Sequence, residues 1–321
     1  MPAALKRLLM DHAPWLVRLK RDFDGASRRR QAARDLKLAK AAVAAFPNTR
    51  RRRRSRLPGE LIVSLTSYPP RFPTLAPTIK GLLDQRLQAD RVVLWIYEDD
   101  EAAIPPDVLD LRQHGLEIRT CSDTRSYKKL IPALRAFPEA FVVTADDDIY
   151  YPPTWLETLV ECVDPARPGI VGTRAHVALM KSDGCPLPYT SWLMETKATN
   201  VSAPGQALFL TGIGGVLYPP HSLHPDVERE DLFMRLCPQA DDVWLFAMSE
   251  LAGTPRRRTA RAVPLVPWPT SQDVGLFHEN VAGSGNDRQL QNVIETYEAL
   301  KSRLRRLAAT GAAQTDSGEP Q

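Results

Sequence analysis

The chain has 321 residues, 43% of them hydrophobic and 25% charged, with a net charge of +4, a globular balance that argues against a collagen-like, low-complexity or charge-dominated chain. No window approaches the ~18 consecutive apolar residues of a membrane span. Four scattered cysteines (Cys121, Cys162, Cys185, Cys237) with no C-x-x-C pair argue against a disulfide framework or a zinc site and leave reduced thiols as the default.

The N-terminal stretch "MPAALKRLLMDHAPWLVRLKRDF" mixes charges into its apolar residues, unlike a secretory signal. A cytoplasmic chain is expected, either soluble or peripherally attached to the inner face of a membrane. Residues 1–56 hold 17 Lys/Arg against 4 Asp/Glu, a net +13, so the remainder carries −9. A solvated helical extension with a basic linker, "NTRRRRRSR", is the plain reading. An anionic lipid surface is the next: Leu5, Leu8, Leu9, Trp15, Leu16 and Leu19 interleave with Lys6, Arg7, Arg18, Lys20 and Arg21, as in interfacial helices. Nucleic acid ranks last, because no binding motif accompanies the run.

After Pro58 the texture changes. "ELIVSLTSY" (60–68) reads as a buried strand ended by Pro69-Pro70, and "TLAPTIKGLLDQ" shows helical spacing through Leu75, Ile79, Leu82 and Leu83. "RVVLWIY" (91–97) is a second strand, a short helix follows near 107–113, and "LEIRT" is a third strand. "SYKKLIPALRAF" reads as a helix with a proline in its first half, and "FVVTA" is a fourth strand. Strands alternating with helices predict a parallel sheet covered on both faces, with ligands outside the carboxyl ends of its strands. Downstream, "PTWLETLVECV" is a helix, "GIVGTR" and "HVALM" are short strands, and "KSDGCPLPYTSW" is a loop. "QALFLTGIGGVLYPP" is a strand meeting Gly212, Gly214 and Gly215. "ADDVWLFAMSELAG" is a helix closed by Gly253, "RAVPLVPW" an edge strand, and "NDRQLQNVIETYEALKSRL" a last helix capped by Asn286 or Asp287. The tail is small and polar and reads as disordered. The expected organisation is a basic helical extension and linker over 1–57, one α/β domain over 58–305, and a tail over 306–321.

The chemistry concentrates in "FVVTADDDIYYPPTW", where an apolar strand runs into Asp146, Asp147 and Asp148. In extended backbone Asp146 and Asp148 share a face and Asp147 takes the other. Two carboxylates about 5 Å apart repel by roughly 3 kcal/mol at an effective dielectric of 20. A divalent cation relieves that cost, and hard oxygen ligands suit Mg²⁺ or Mn²⁺. The competing reading is an acidic turn capping the helix near Pro153.

"TADDDIYYPPTW" resembles the D-x-D region of GT-A-fold glycosyltransferases, including bacterial enzymes that build surface polysaccharide or lipopolysaccharide. "LIVSLTSYPPRF", "SYKKLIPAL", "GIGGVLYPP" and "ADDVWLFAM" follow in the order of that group's nucleotide loop, lysine-bearing helix, acceptor-side glycine segment and late acidic motif. The resemblance spans about residues 60–300. It implies a GT-A, Rossmann-like, mixed, mainly parallel α/β sheet flanked by helices. It also implies metal-assisted transfer of a sugar from a nucleotide-diphospho-sugar donor to a hydroxyl of a glycan or glycolipid acceptor. Asp148 would be the first metal ligand, Asp146 would share the metal or lie near the ribose, and Asp147 would hold the loop. Thr66, Ser67, Tyr68 and Arg71 would lie near base and ribose, and Lys128 or Lys129 would face the uracil-side or phosphate oxygens. Asp242, or its neighbour Asp241, would be the base of an inverting transfer, the competing role for both being helix caps. His278 would complete the metal shell or touch the diphosphate. Trp192 and Trp268 would stack on a sugar or pack in the core. Two other classes stay open: a Mg²⁺-dependent nucleotidyltransferase, against which "TSYPPRF" lacks a phosphate-loop glycine, and a non-catalytic membrane- or nucleic-acid-binding protein working through the arginine-rich arm.

Overall fold

The computed structural model describes residues 14–48, 53–269 and 285–309. Its contacts divide into one unit ending at Ala45 and a second beginning at Phe46. In the first, helix α1 (Pro14–Ala44) runs through a stretch rich in alanine, leucine, lysine and arginine, residues with high intrinsic helix propensity. No described helix is long and apolar enough to cross a membrane.

The second unit is built on a seven-stranded sheet. Its strands are β1 (Leu61–Thr66), β2 (Arg91–Tyr97), β3 (Leu116–Cys121), β4 (Phe141–Ala145), β6 (Ile170–Gly172), β9 (Val216–Tyr218) and β10 (Arg256–Arg258), in the order β10-β6-β9-β4-β1-β2-β3. Every pairing is parallel except the two made by β9, which runs against both β4 and β6. The fold is therefore a mixed, mainly parallel α/β sheet, as the resemblance implied; the alternation of elements implied its parallel part. Three two-residue or longer pairings stand outside it. β5 (Ile149–Tyr150) pairs antiparallel with β11 (Val266–Pro267), β7 (Ala175–Leu179) pairs antiparallel with β8 (Gln206–Leu210), and Arg53–Arg54 pairs in parallel with Leu87–Gln88.

Alternation of side chains explains why these runs are apolar throughout. Leu61, Val63 and Leu65 of β1, Val92, Leu94 and Ile96 of β2, and Val143 and Ala145 of β4 pack on one face. There they meet Leu75, Ile79, Leu82 and Leu83 of α2 (Phe72–Leu83) and Trp155, Leu156 and Leu159 of α4 (Trp155–Val160). Ile62, Val93, Trp95 and Val142 point to the other face. That face is covered by α3 (Ile131–Ala136), α5 (Glu230–Leu236), α6 (Asp241–Ala252), α7 (Gly285–Thr296) and α8 (Glu298–Ala309). Each such fully buried aliphatic side chain contributes about 1.5–3 kcal/mol.

Several expectations are revised. The lysines of "SYKKLIPAL" sit in a separate 3₁₀ turn, Arg125–Lys129, and α3 begins only at Ile131. Pro132 fixes that start, since a proline lacks an N–H and fits only a first helical turn. The single last helix is broken at Tyr297 into α7 and α8. The stretch "RAVPLVPW" yields only the two residues of β11, and the edge strand of the main sheet is the arginine triplet β10.

The topology locates a crevice. From β1 the chain crosses through α2 on one face to β2, and from β3 it crosses back through α3 on the other face to β4. β1 and β4 are thus neighbours whose connections leave in opposite directions, the switch point outside which α/β sheets bind ligands. The carboxyl end of β1 leads into Ser67 and that of β4 into Asp146.

Candidate active site

The aspartate triplet is a turn between β4 and β5, not extended strand, so alternation does not govern it. Asp147 does not face away from the crevice. Its Oδ2 accepts a hydrogen bond from Ser67 Oγ at 2.6 Å, and its Oδ1 lies 3.5 Å from Arg71 Nη1, which also pairs with Asp148. Asp146 turns the other way, accepting from Lys129 Nζ at 3.0 Å. The turn is held from behind by backbone contacts. Thr78 Oγ1 donates to the Asp147 carbonyl at 3.0 Å, Trp268 N donates to the Asp148 carbonyl at 3.0 Å, and Asp146 N donates to Tyr151 Oη at 2.8 Å. Burial pushes the Asp147 carboxyl up to about 7, against the Ser67 bond and Arg71. Burial and then Asp146 raise Asp148 above its ordinary value, with Arg71 opposing.

Lys129 joins this half of the crevice to the other. Its ammonium, almost fully buried, lies 3.0 Å from Asp146 Oδ1 and 3.0 Å from Asp241 Oδ2. Burial works to lower its pKa, and Asp146, Asp241 and Asp242 together raise it well above the ordinary lysine value. The lysine stays charged. Its backbone is fixed too: Ser64 Oγ of β1 donates to the Lys129 carbonyl at 2.7 Å and accepts from Trp95 Nε1 at 3.0 Å. Lys128, the alternative cation, points elsewhere, to Asp123 at 2.9 Å and over the Tyr97 ring.

Asp241 and Asp242 open α6, yet neither caps it, and the N-cap position is Ala240. Asp242 instead accepts from the Gly212 N–H with both oxygens, at 3.0 and 3.2 Å. A Cβ on Gly212 would come within 2.9 Å of Lys129 Nζ and 3.1 Å of Asp242 Oδ1, so glycine is what lets that backbone approach. Burial, and then Asp241, push the Asp242 carboxyl up to about 7, with Lys129 opposing. A carboxylate poised there suits a general base at neutral pH.

The other expected residues divide. Thr66 uses its hydroxyl on the Trp95 carbonyl of β2 at 2.8 Å, whereas Tyr68 is 38% exposed at the rim. Trp192 is core packing: it is buried against Tyr189 and Phe209 and donates to the Leu187 carbonyl. Trp268 is also buried, its Nε1 bonded to Thr78 Oγ1 at 2.8 Å, so that it props the triplet from behind. His278 lies outside the described residues. The supporting residues Thr78 and Tyr151 escaped sequence reading: Thr78 acts across 69 positions of chain, and Tyr151 reaches Asp146 only because the turn folds back on itself; Gly212 was singled out, but its bond to Asp242, 30 positions on, was not.

Among the described residues no group of three or more His, Cys, Asp or Glu side chains stands together as a metal cage. Mg²⁺ commonly needs only one or two carboxylates, with substrate phosphates supplying further ligands. Asp148 pairs with Arg71 and Asp146 with Lys129 across the turn; both are hard oxygen donors of the kind that Mg²⁺ or Mn²⁺ takes.

Comparison with known proteins adds context. No family model matches the chain, and no curated protein matches it. Among solved structures, a mannosyltransferase (PcManGT) from Pyrobaculum calidifontis in complex with GDP-Man and Mn²⁺ is similar at 12% identity, over 92% of this chain and 86% of its own, with a TM-score of 0.41. TarS 1–349 of S. aureus is similar at 14% identity, over 81% and 75%, with a TM-score of 0.42. A CMP:2-keto-3-deoxy-manno-octonic acid synthetase complexed with CTP is similar at 11% identity, over 67% and 96%, with a TM-score of 0.40. At these scores the likenesses carry no argument, and the case for function rests on the site.

Proposed function

We propose that the chain is a glycosyltransferase of the GT-A type, moving a sugar from a nucleotide-diphospho-sugar to an acceptor hydroxyl with inversion. The observation that carries this reading is the meeting of two carboxylate groups on one buried lysine. Asp146 and Asp241 both reach Lys129, with Asp242 beside them. One group lies at the switch point where a nucleotide would bind, and the other holds an aspartate with a pKa of about 7. Transfer to a hydroxyl needs both, an anion-binding half for the donor and a base for the acceptor.

In this reading Ser67, Tyr68 and Arg71 meet the nucleoside end of the donor, and Asp148, with Asp146 once released from Lys129, would hold a Mg²⁺ or Mn²⁺ ion. When bound, the ion offsets negative charge on the diphosphate leaving group. Asp242 takes the proton of the acceptor hydroxyl onto a carboxylate oxygen. The Gly212 N–H keeps that carboxylate aimed, and the Lys129 charge keeps it ionised near neutrality. Until that release, Lys129 also holds Asp146 in place from the protein side. The acceptor, a glycan or glycolipid, would approach along the Gly212–Gly215 segment, and α1 would supply a basic contact with anionic lipid.

A thermal-shift screen of nucleotide sugars with and without Mn²⁺, followed by calorimetry, tests this. Wild type is expected to bind one nucleotide sugar in a Mn²⁺-dependent way. Asp148→Ala should lose that binding, and Asp242→Asn should keep it while losing turnover by about 10²–10⁴-fold. Absence of any Mn²⁺-dependent nucleotide-sugar binding overturns the proposal, and near-normal turnover in Asp242→Asn moves the base elsewhere.

A further inference from the structure

At the end of the sheet opposite the crevice, the amino ends of β6 and β10 border a cavity of about 300 Å³. That volume is at the lower bound for small-molecule sites. Its charged lining is Arg167, Arg256, Arg257, Arg303, Asp164 and Glu250, four cations against two acids and a net +2. The two acids do not neutralise the cavity evenly. Glu250, only 2% exposed, gives one oxygen to Arg256 and the other to Arg303, the latter at 2.5 Å. Arg256 is held further by the Leu208 carbonyl at 2.6 Å and Ser249 Oγ at 2.7 Å, and it stacks over the Phe246 ring. Those two arginines form a fixed wall. Asp164 accepts from the Ala166 backbone N–H in its own turn. Among the described residues, Arg167 and Arg257 have no ion pair, and Thr254, Asn200 and Gln206 add polar lining.

We propose that this cavity is a binding site for a compact, multiply charged oxyanion of the phosphate or diphosphate class, separate from the crevice at the carboxyl ends of β1 and β4. The charge argument is direct. Arg167 and Arg257 line the cavity and have no ion pair among the described residues, so an anion entering there gains charge-assisted hydrogen bonds from planar guanidinium donors. The wall is pre-organised by Glu250, so binding costs little reordering of Arg256. Nothing in the transfer proposed above uses these residues.

Inorganic pyrophosphate, titrated calorimetrically in EDTA at fixed ionic strength, tests the site on the full chain. Hydrogen exchange of peptides covering 164–169, 254–258 and 300–307 is followed in parallel. Wild type is expected to bind, with protection confined to those peptides. The double variant Arg167→Ala/Arg257→Ala, whose side chains are exposed and whose folding is checked by circular dichroism, should bind at least tenfold more weakly. Arg71→Ala, altered in the crevice, should bind as wild type does. No binding to wild type, unchanged binding in the double variant, or loss in Arg71→Ala with protection at 146–148 each overturns the proposal. None of these outcomes depends on whether the crevice transfers a sugar.

Discussion

With its ammonium 3.0 Å from both Asp146 and Asp241, Lys129 is a buried cation whose removal leaves several carboxylates facing one another. The physical consequence is specific. Lys129 lowers the pKa of Asp242, opposing burial and Asp241. Replacing it with methionine, which keeps the stem and deletes the charge, should raise that pKa further. A base must be ionised to accept a proton, so activity falls on the acid side of its pKa. In wild type the acid limb of the rate profile is expected near pH 7, and in Lys129→Met it should move to higher pH. A limb that stays in place in the variant would remove Asp242 as the titrating base. The sequence narrowed the cation to Lys128 or Lys129 and could go no further. Two adjacent residues of a short turn point to different neighbours, and those neighbours, Asp123 and Asp146, come from different parts of the chain.

At the level of elements, the glycine segment between β8 and β9 sets how closely the two halves approach. Gly215 has φ +84°, and a Cβ there would stand 2.4 Å from Trp155 Cζ2, whose indole is fully buried and donates to the Gly214 carbonyl. Gly215→Ala combines backbone strain with a clash that a buried tryptophan cannot yield to. It should cost about 2–4 kcal/mol of stability, read as a lower denaturant midpoint with an unchanged slope. An unchanged midpoint would show that the segment can shift. The period-2 strands β1, β2 and β4 were legible because each is a run of branched apolar residues buried on both faces. β10 was not, because three consecutive arginines carry no strand pattern. It forms because its backbone pairs with β6 while Arg258 reaches the Lys197 and Ala198 carbonyls and Arg256 reaches Glu250. The reversed direction of β9 was equally invisible, since three apolar residues read the same both ways.

Over the whole second unit, Glu250 connects three separate pieces of chain: α6, which carries it, β10 through Arg256, and α8 through Arg303. Burial raises its pKa, and the two arginines lower it further than burial raises it. Its folded pKa therefore lies below the unfolded one. The carboxylate's contribution is fully present above the unfolded value near 4.5 and is lost as pH falls through the folded value. Glu250→Gln would leave two partly buried guanidinium groups without their counter-charge, a change of about 3–5 kcal/mol. The difference in stability between variant and wild type, measured by urea unfolding, should shrink as the pH is lowered below 4.5. A difference that does not depend on pH would mean that Glu250 acts by shape alone. The parallel part of the architecture was readable from the order of strands and helices, because that order follows from local periodicity. The connection through Glu250 was not, since it joins segments 6 and 53 residues apart that only the completed fold brings together.

Trp268 sits directly behind the aspartate turn, its backbone N–H on the Asp148 carbonyl and its indole N–H on Thr78, which in turn holds the Asp147 carbonyl. A tryptophan whose backbone bonds one end of the acidic loop and whose indole bonds the threonine that holds the other is a fluorophore coupled to that loop. Its emission senses the field of the carboxylates, and any cation or phosphate that changes their charge changes the light the protein gives off, with no label attached.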